Sequence, residues 1–600
     1  MSSIWSSNEE HFRQRFPSLA ATLLAPGGGE SSPYQPYQIE QTKNGLPTAR
    51  DEGLLLHSRY DPQKEAQSLI RSFDPSAQEA AVFLGFGLGY APIEFARAFP
   101  DVPMVLVESD AARFLAALQV VDWGALFRHE KLVLAVSAGL SELEQLLASY
   151  SPDKIATIKT KAQTAHDESY FHDVENLIAR SKTRDEVNQN TLEKFSLLWL
   201  KNSLRNLPLM KTLGGVQKFR GAARDLPFVV FGAGPSLPSL LPYVGEIKRR
   251  AITVCVDAAL STFLQSGEEP DFVIVCDPQY WCARHLDFAS CPTSALITEI
   301  ASYPSVFRFN CREVLLFSSL FPIGQYFEKR LGQKGQLAAG GSVATTAWDF
   351  ALFCGAHEIF LAAVDLSFPG SLTHAKGCRS EEGFFCQSTR LAPVETQSVH
   401  SLLSAGSFWG VDCEGHPIRS DKKMRVFASW FESHCTRATQ AGIVTKTLTP
   451  QSLAVPSVEH SCVQELLTRD EAGKTREEFF ARASERDDQV DYAPSFDKVR
   501  EEFQRSLHSL EVLCREGMRL CHRALSQGKV TPSVLRRLDE IDRAISSSAV
   551  KEAAALVFPS KRHFAQLEKQ VSGTGELSSV KLSAVIYEEL LKALAQFDFG

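Results

Sequence analysis

Three aspartates and one glycine turn stand at the ends of apolar runs in the middle of this chain. Gly232-Ala233-Gly234-Pro235-Ser236 follows "FVVF", Asp257 follows "TVCV", Asp277 follows "VIVC" and Asp365 follows "FLAAV". A glycine turn after a strand exposes backbone amides to a phosphate. Carboxylates at strand ends can meet sugar or ribose hydroxyls, or a divalent cation. A fifth feature is Gly340-Gly341-Ser342, which opens the helical stretch "VATTAWDFALFCGA". Ser342 suits an N-cap, and the free amides of such a helix start favour an anion. His374 in "LTHAKG" and His416 in "EGHPIRSD" supply the imidazoles, groups whose ordinary pKa near 6.5 suits proton exchange at neutral pH. Each feature also has a plainer reading. Asp257 caps the helix after it, Asp277 starts a turn before Pro278, Gly340 to Ser342 is a loop and a cap, and loop histidines are solvated surface groups.

What would gather them is a sheet. "FVVF", "AITVCVD", "DFVIVCD", "ALITE" and "IFLAAVD" are continuous apolar runs separated by helical segments, the pattern of strands buried on both faces of a mostly parallel sheet. In such sheets ligands bind at the carboxyl ends of the strands. The expected fold class is therefore α/β, with a central Rossmann-like, mostly parallel sheet over residues 226–456. A smaller α/β N-terminal domain is expected over 1–175, a helical connector over 176–225 and an all-helical C-terminal region over 457–600.

The first 80 residues look strand-rich, with Asn44-Gly45 as a hairpin turn and a helix starting at Asp61-Pro62. Residues 80–150 form an α/β unit in which Gly85, Gly87 and Gly89 are followed by the acidic Glu108, an imitation of a ribose-binding layout. A tight strand-to-helix turn that needs small residues explains the same glycines. In the tail, Phe503, Leu507, Leu510, Cys514, Met518, Cys521 and Leu525 recur at helical spacing, and Thr531-Pro532 opens another helix.

Six hundred residues, 44% apolar and 22% charged, imply several globular domains. A net charge of −8 gives no general attraction to nucleic acid. No apolar run approaches the roughly eighteen residues of a membrane span. The opening "MSSIWSSNEEHFRQRF" has neither the basic nor the apolar region of a secretory signal. Thirteen cysteines without a Cys-x-x-Cys pair point to a reduced, cytoplasmic protein. Cys378 and Cys386 beside His374 fit no zinc spacing, so no metal ligands are assigned.

"GAGPSL", "VDAAL", "CDPQ", "GGSVAT" and "VDLSF…THAKG", in this order, resemble the central domain of the motility accessory factor (Maf) proteins. These are bacterial flagellin glycosyltransferases whose central domain is related to the MptE-like 6-hydroxymethylpterin pyrophosphokinases. "LHSRYDP", "FLGFGLGY…VLVESD" and "WLKNSLRNLP" resemble the region preceding that domain. More distantly, Gly232–Ser236, Gly341-Ser342-Val343 and Ala363-Val364-Asp365 are similar to motifs of bacterial CMP-sugar sialyltransferases. "GHPIRSDKKMRVFASWFE" is similar to the segment carrying their histidine base. Ala233 and Asp257 stand where those enzymes carry asparagines.

The resemblance implies a cytoplasmic glycosyltransferase that moves a nonulosonic sugar, of the pseudaminic or legionaminic kind, from a CMP-activated donor to Ser or Thr of flagellin. Gly232, Gly234, Pro235, Ser236, Asp257, Asp277, Gly340, Gly341 and Ser342 would bind the donor. Asp365 and one of His374 or His416, His374 first, would serve catalysis. The rival enzyme is an ATP-dependent diphosphokinase, which would place Mg²⁺ among Asp257, Asp277 and Asp365. A non-enzymatic flagellin-binding factor is the third reading.

Overall fold

A computed structural model describes residues 3–24, 36–223, 225–404, 406–486, 493–556 and 575–599. The chain forms two compact units, Met1–Asn188 and Gln189–Gly600. The division falls inside one 39-residue helix, Glu168–Asn206.

The first unit departs from its expected strand-rich start. Its first elements are two helices, Ser3–Arg15 and Pro17–Leu23. Phe12 is the reason, packing edge-on against Phe114 at 5.2 Å between ring centres. Buried Asn8 holds the helix further, donating to Leu118 and Val121 carbonyls and accepting from Trp123 N–H. The short, polar run between Phe12 and Phe16 has helical spacing, which two aromatics alone do not reveal in a sequence. The hairpin does form, from β1 (Tyr37–Gln41) and β2 (Pro47–Asp51) around Asn44-Gly45, with β3 (Leu54–Leu55) paired to β2. Asp61 caps the helix Pro62–Ile70, accepting from Lys64 N–H. Then come β4 (Ala80–Leu84), β5 (Met104–Glu108), β6 (Leu132–Val136) and β7 (Ile155–Lys159), a parallel sheet in the order β6-β5-β4-β7.

The second unit is built on β8 (Phe228–Phe231), β9 (Ile252–Val256), β10 (Phe272–Ile274), β11 (Cys291–Thr298), β12 (Cys311–Leu316) and β13 (Glu358–Ala362). A hairpin, β14 (Phe408–Val411) and β15 (Pro417–Ser420), precedes β16 (Val444–Thr447) and β17 (Glu459–His460). Apart from the hairpin these pair in the order β12-β11-β10-β9-β8-β13-β16-β17, every neighbour parallel. Strands β8, β9, β10 and most of β13 are buried on both faces, as their uninterrupted apolar sequences require. From β8 the chain winds one way through β9 to β12, then crosses back to β13 on the other side. That reversal makes β8 and β13 the topological switch point, where connections depart in opposite directions and where such sheets bind ligands at the carboxyl ends of the strands.

The sheet continues past residue 456 through β17, and the helix Gly473–Glu485 belongs to the same core through Phe479 and Ala483. Arg476 reaches from that helix to form a paired contact with buried Asp271, at 2.7 and 3.1 Å. The described helices that follow, Ala493–Gln527, Pro532–Ser547, Lys551–Ala555 and Glu576–Leu594, share an apolar core that buries Phe503, Leu507, Leu510, Cys514 and Cys521.

Candidate functional site

The turn after β8 is bound to the end of β13 rather than left open. Gly232 N–H donates to Ala362 O at 2.8 Å and Gly234 N–H to Ala363 O at 2.9 Å. Ser236 N–H donates to Asp365 Oδ2 at 2.9 Å. A Cβ on Gly234 would run into that same carboxylate and into Ala363 O, so only glycine fits. Asp365 also accepts from Thr449 and Ser452 hydroxyls. Its burial raises its pKa, and the bonds from Ser236, Thr449 and Ser452 oppose that rise. Three amides expected to meet a phosphate are therefore occupied, and Asp365 braces the turn. Pro235, which has no N–H, lets the chain pass directly from the turn to the helix start at Leu237.

The chemistry lies beside this turn. Asp257, at the end of β9, is nearly buried and lies 3.0 Å from Nδ1 of His285, which is 15% exposed. Burial pulls the His285 pKa down, but hydrogen bonding and charge from Asp257, helped by Asp277, leave it raised overall. An imidazole held through Nδ1 by a buried carboxylate keeps Nε2 available as a proton acceptor. His285 lies in a short 3₁₀ turn, Arg284–Leu286, in the loop that follows β10. It had no signal in the sequence beyond being a histidine after a strand. Asp277 does form the turn expected before a proline, accepting from Gln279 N–H at 2.8 Å. Its charge still reaches His285, Cys276 and Cys282.

The charge of His285 also acts on His374. The loop carrying it is pinned across the crevice: Ala375 N–H donates to Ala233 O, while Ser261 and Thr262 hydroxyls bond the carbonyls of Gly377 and Lys376. The loop thus joins the β8 turn to the helix that begins with Asp257 (Asp257–Phe263). The His374 Nδ1 atom is buried with no hydrogen-bond partner. Its pKa is pushed down to about 4, first by burial and then by the charges of His285 and Lys423. At neutral pH it is an uncharged imidazole.

Ser342 is an N-cap, accepting from Ala344 N–H at the start of the helix Val343–Phe353. Gly340 lies against Trp430 and Gly341 against Phe427, both on the helix Lys422–Gln440. His416 is elsewhere. It is 69% exposed in the β14–β15 turn, with Asp412 and Glu414 as its charged neighbours. Among the described residues no hydrogen bond or ion pair joins it to Asp257, His285 or His374. The structure brings together Gly232–Ser236, Asp257, His374 and Asp365, adds His285, and leaves His416 at the surface.

Two further residues hold the site loops. Asn202 donates to the carbonyls of Pro278 and Ala301, and Asn206 to those of Ile300 and Ser302, at 2.8–3.0 Å. They stand one helical turn apart in "WLKNSLRNLP" and satisfy four buried carbonyls of the loops after β10 and β11. The carboxylates do not fit a magnesium site: Asp365 is spent on three donors and Asp257 on His285. Among the described residues no group of three or more acidic, cysteine or histidine side chains is arranged to hold a metal ion.

The glycine turn of the first unit is closed. Leu88 N–H donates to His57 Nε2 at 2.9 Å, and a Cβ on Gly87, whose φ is +54°, would meet that same nitrogen. Trp123 covers Gly89. Glu108, at the place of a ribose-binding acid, is fully buried and lies 2.8 Å from His166 Nε2.

Residues 201–371 match the family model described as 6-hydroxymethylpterin diphosphokinase MptE-like. That match covers less than a third of the chain. The matched region runs from the Asn202 clamp through β8–β13 to the loop preceding His374. The fold is also that of the solved MAf glycosyltransferase from Magnetospirillum magneticum AMB-1, with a TM-score of 0.55 and 14% identity over 99% of this chain and 94% of that one. The motif resemblance to MptE-like proteins is thus matched by the family model, and the fold by that of the MAf glycosyltransferase. Two uncharacterized proteins of Treponema pallidum (strain Nichols) are similar in sequence. One is 32% identical over 229 residues, 33% of this chain and 58% of that protein; the other is 26% identical over 250 residues, 41% and 86%. The match thus spans under two thirds of the first relative's length. No described helix is long and apolar enough to cross a membrane.

Proposed function

We propose that this MptE-like protein is a glycosyltransferase, moving a nonulosonic sugar from a CMP-activated donor to Ser or Thr hydroxyls of flagellin. The observation that carries the reading is the Asp257–His285 pair at the sheet's crossover, beside a neutral His374 with an unused buried nitrogen. The acidic sugar and the flagellin acceptor rest on the motifs shared with Maf proteins, and the fold shared with the MAf glycosyltransferase supports the reaction class.

In this reaction the acceptor hydroxyl attacks the anomeric carbon. Its proton passes to Nε2 of His285, the new C–O bond forms, and the anomeric carbon–phosphate oxygen bond breaks. The electron pair leaves with CMP as a phosphate monoester. His285 is the better base because Asp257 orients it and stabilises its cation, whereas a cation on His374 is opposed by burial and by two positive neighbours. Base catalysis of this kind contributes about 10²–10⁴-fold. His374 serves as an uncharged hydrogen-bonding wall of the donor site.

The name of the matching family model motivates one rival, an ATP-dependent diphosphokinase. The melting temperature of the full chain separates the two, because a ligand at 100 times its Kd adds about 2.7 kcal/mol of apparent stability. CMP should raise it equally with Mg²⁺ and with EDTA. An ATP shift that EDTA abolishes overturns the transferase reading, and no shift with any nucleotide favours a flagellin-binding factor.

A further inference from the structure

The segment that carries His285 has two faces. Ala283 and Leu286 are buried in the core of the sheet. Tyr280, Trp281 and Phe288 are instead 45%, 69% and 94% exposed. Large rings left in water forgo the burial that normally holds them inside, and a cluster of them marks a binding surface.

These rings are held in place. Phe288 has a φ of +60°, a left-handed conformation that strains a bulky residue and persists only where surrounding contacts impose it. Arg379 supplies such contacts, donating to Asp287 O at 2.8 Å and lying 5.2 Å from the Phe288 ring centre. Tyr280 packs on Tyr303 at 5.5 Å and Trp281 on Tyr280 at 5.3 Å between ring centres. The backbone N–H of Arg284 donates to Tyr280 O, so the turn Tyr280–Ala283 runs on into Arg284–Leu286. Residues four apart on such a turn are neighbours, and the Arg284 guanidinium does reach the Tyr280 hydroxyl at 3.0 Å. Trp281 stands to His285 as Tyr280 stands to Arg284.

Charge narrows what the rings can receive. Asp257 lies 3.0 Å from His285, and Asp277 opens the same segment by accepting from Gln279 N–H. The arginines beside the rings are already paired, Arg284 with Asp287 and Arg379 with Glu382. An anionic donor group therefore meets carboxylates here. An uncharged stretch of polypeptide meets ring faces and, at His285, an acceptor for its hydroxyl proton.

We propose that Trp281 and Phe288 bind the uncharged polypeptide stretch that carries the acceptor hydroxyl, and so select the acceptor rather than the donor. The inference rests on, and deepens, the transferase reading. It also gives the strained Phe288 a use, since its ring is kept outward at a cost in stability.

Calorimetric titration of the full-length chain, with purified unglycosylated flagellin and separately with CMP, tests this. Trp281→Ala should weaken flagellin about tenfold and leave CMP unchanged, and Trp281→Phe should recover most of the loss. Trp409→Ala, at a tryptophan 65% exposed on the β14–β15 hairpin, should bind flagellin as the wild type does. Phe288→Gly should weaken flagellin while raising the melting temperature, because glycine relieves the left-handed strain; a ring with a merely structural role would lower it. Unchanged flagellin affinity in Trp281→Ala, an equal loss in Trp409→Ala, or a loss for CMP instead overturns the inference. If the wild type binds CMP and not flagellin, the acceptor surface falls and the donor assignment stands. If it binds flagellin through Trp281 and not CMP, the transferase reading falls and the surface stands. If it binds neither, both fall.

Discussion

The chain builds two parallel sheets with a glycine turn after a central strand, and it uses them in opposite ways. After β4, the chain's own side chains fill the turn: His57 takes the Leu88 amide, Trp123 covers Gly89, and His166 takes the Glu108 carboxylate. After β8, the amides are also bound within the protein, two to the Ala362 and Ala363 carbonyls and one to the buried Asp365. The polar groups beside that turn are not all satisfied, since His285 keeps one ring nitrogen and His374 another. A glycine turn is thus a way to bring a strand, a helix and a third segment close together. Whether it binds a ligand depends on what the third segment contributes.

The largest expected contrast is catalytic. His285→Ala should lower the transfer rate by about 10²–10⁴-fold, read as lost glycan mass on flagellin, and should also lower the melting temperature, because it strips buried Asp257 of its partner. Glu108→Gln in the first unit should lower stability while sparing transfer. Should the two variants behave alike, the contrast between the turns is gone.

Next in size is an acid sensitivity of the first unit. Burial pushes the His57 pKa down to about 4, so the unfolded chain binds this proton at higher pH than the folded one does. The stability that comes from keeping His57 neutral is complete above about pH 6.5 and is lost as pH falls toward 4, on the order of 3 kcal/mol in all. His374 adds a loss in the same window for the second unit. Denaturant midpoints between pH 7 and 4 should fall steeply, and His57→Gln should flatten the curve for the first unit.

Gly234→Ala forces a methyl group against Asp365 and Ala363 O and should cost about 1–3 kcal/mol, visible as a lower melting temperature that CMP only partly restores. His416→Ala should do least. As a surface substitution it should shift stability by no more than about 0.5 kcal/mol, and transfer should continue. Loss of the glycan in that variant would return His416 to the reaction.

Much of this architecture was legible because the central strands β8, β9 and β10 are almost wholly apolar and the motifs sit at strand ends. The β1–β2 hairpin announced itself through Asn44-Gly45, and the tail through its helical stripe. The N-terminal helices were missed because a few aromatics in a polar segment do not distinguish helix from strand until Phe114 and Trp123 are present to pack on. Among site residues, Ser342 as a cap and Asp257 at a strand end could be read from neighbours in the chain. His285 could not, because its role comes from Asp257, 28 residues away in sequence and 3.0 Å away in space. The exposed position of His416 could not be read either, since similarity of a segment does not say where its side chain ends up.

By itself the sequence determined which segments become strands, where glycine must turn the chain, and which polar residues stand at the strand ends. These are local matters of apolar periodicity, backbone sterics and capping. Only the tertiary structure decided which turn is filled and which carboxylate is a brace. It alone paired His285 with Asp257 and left a buried nitrogen of His374 without a partner, because hydrogen-bond satisfaction and burial depend on groups that the chain brings together from far apart.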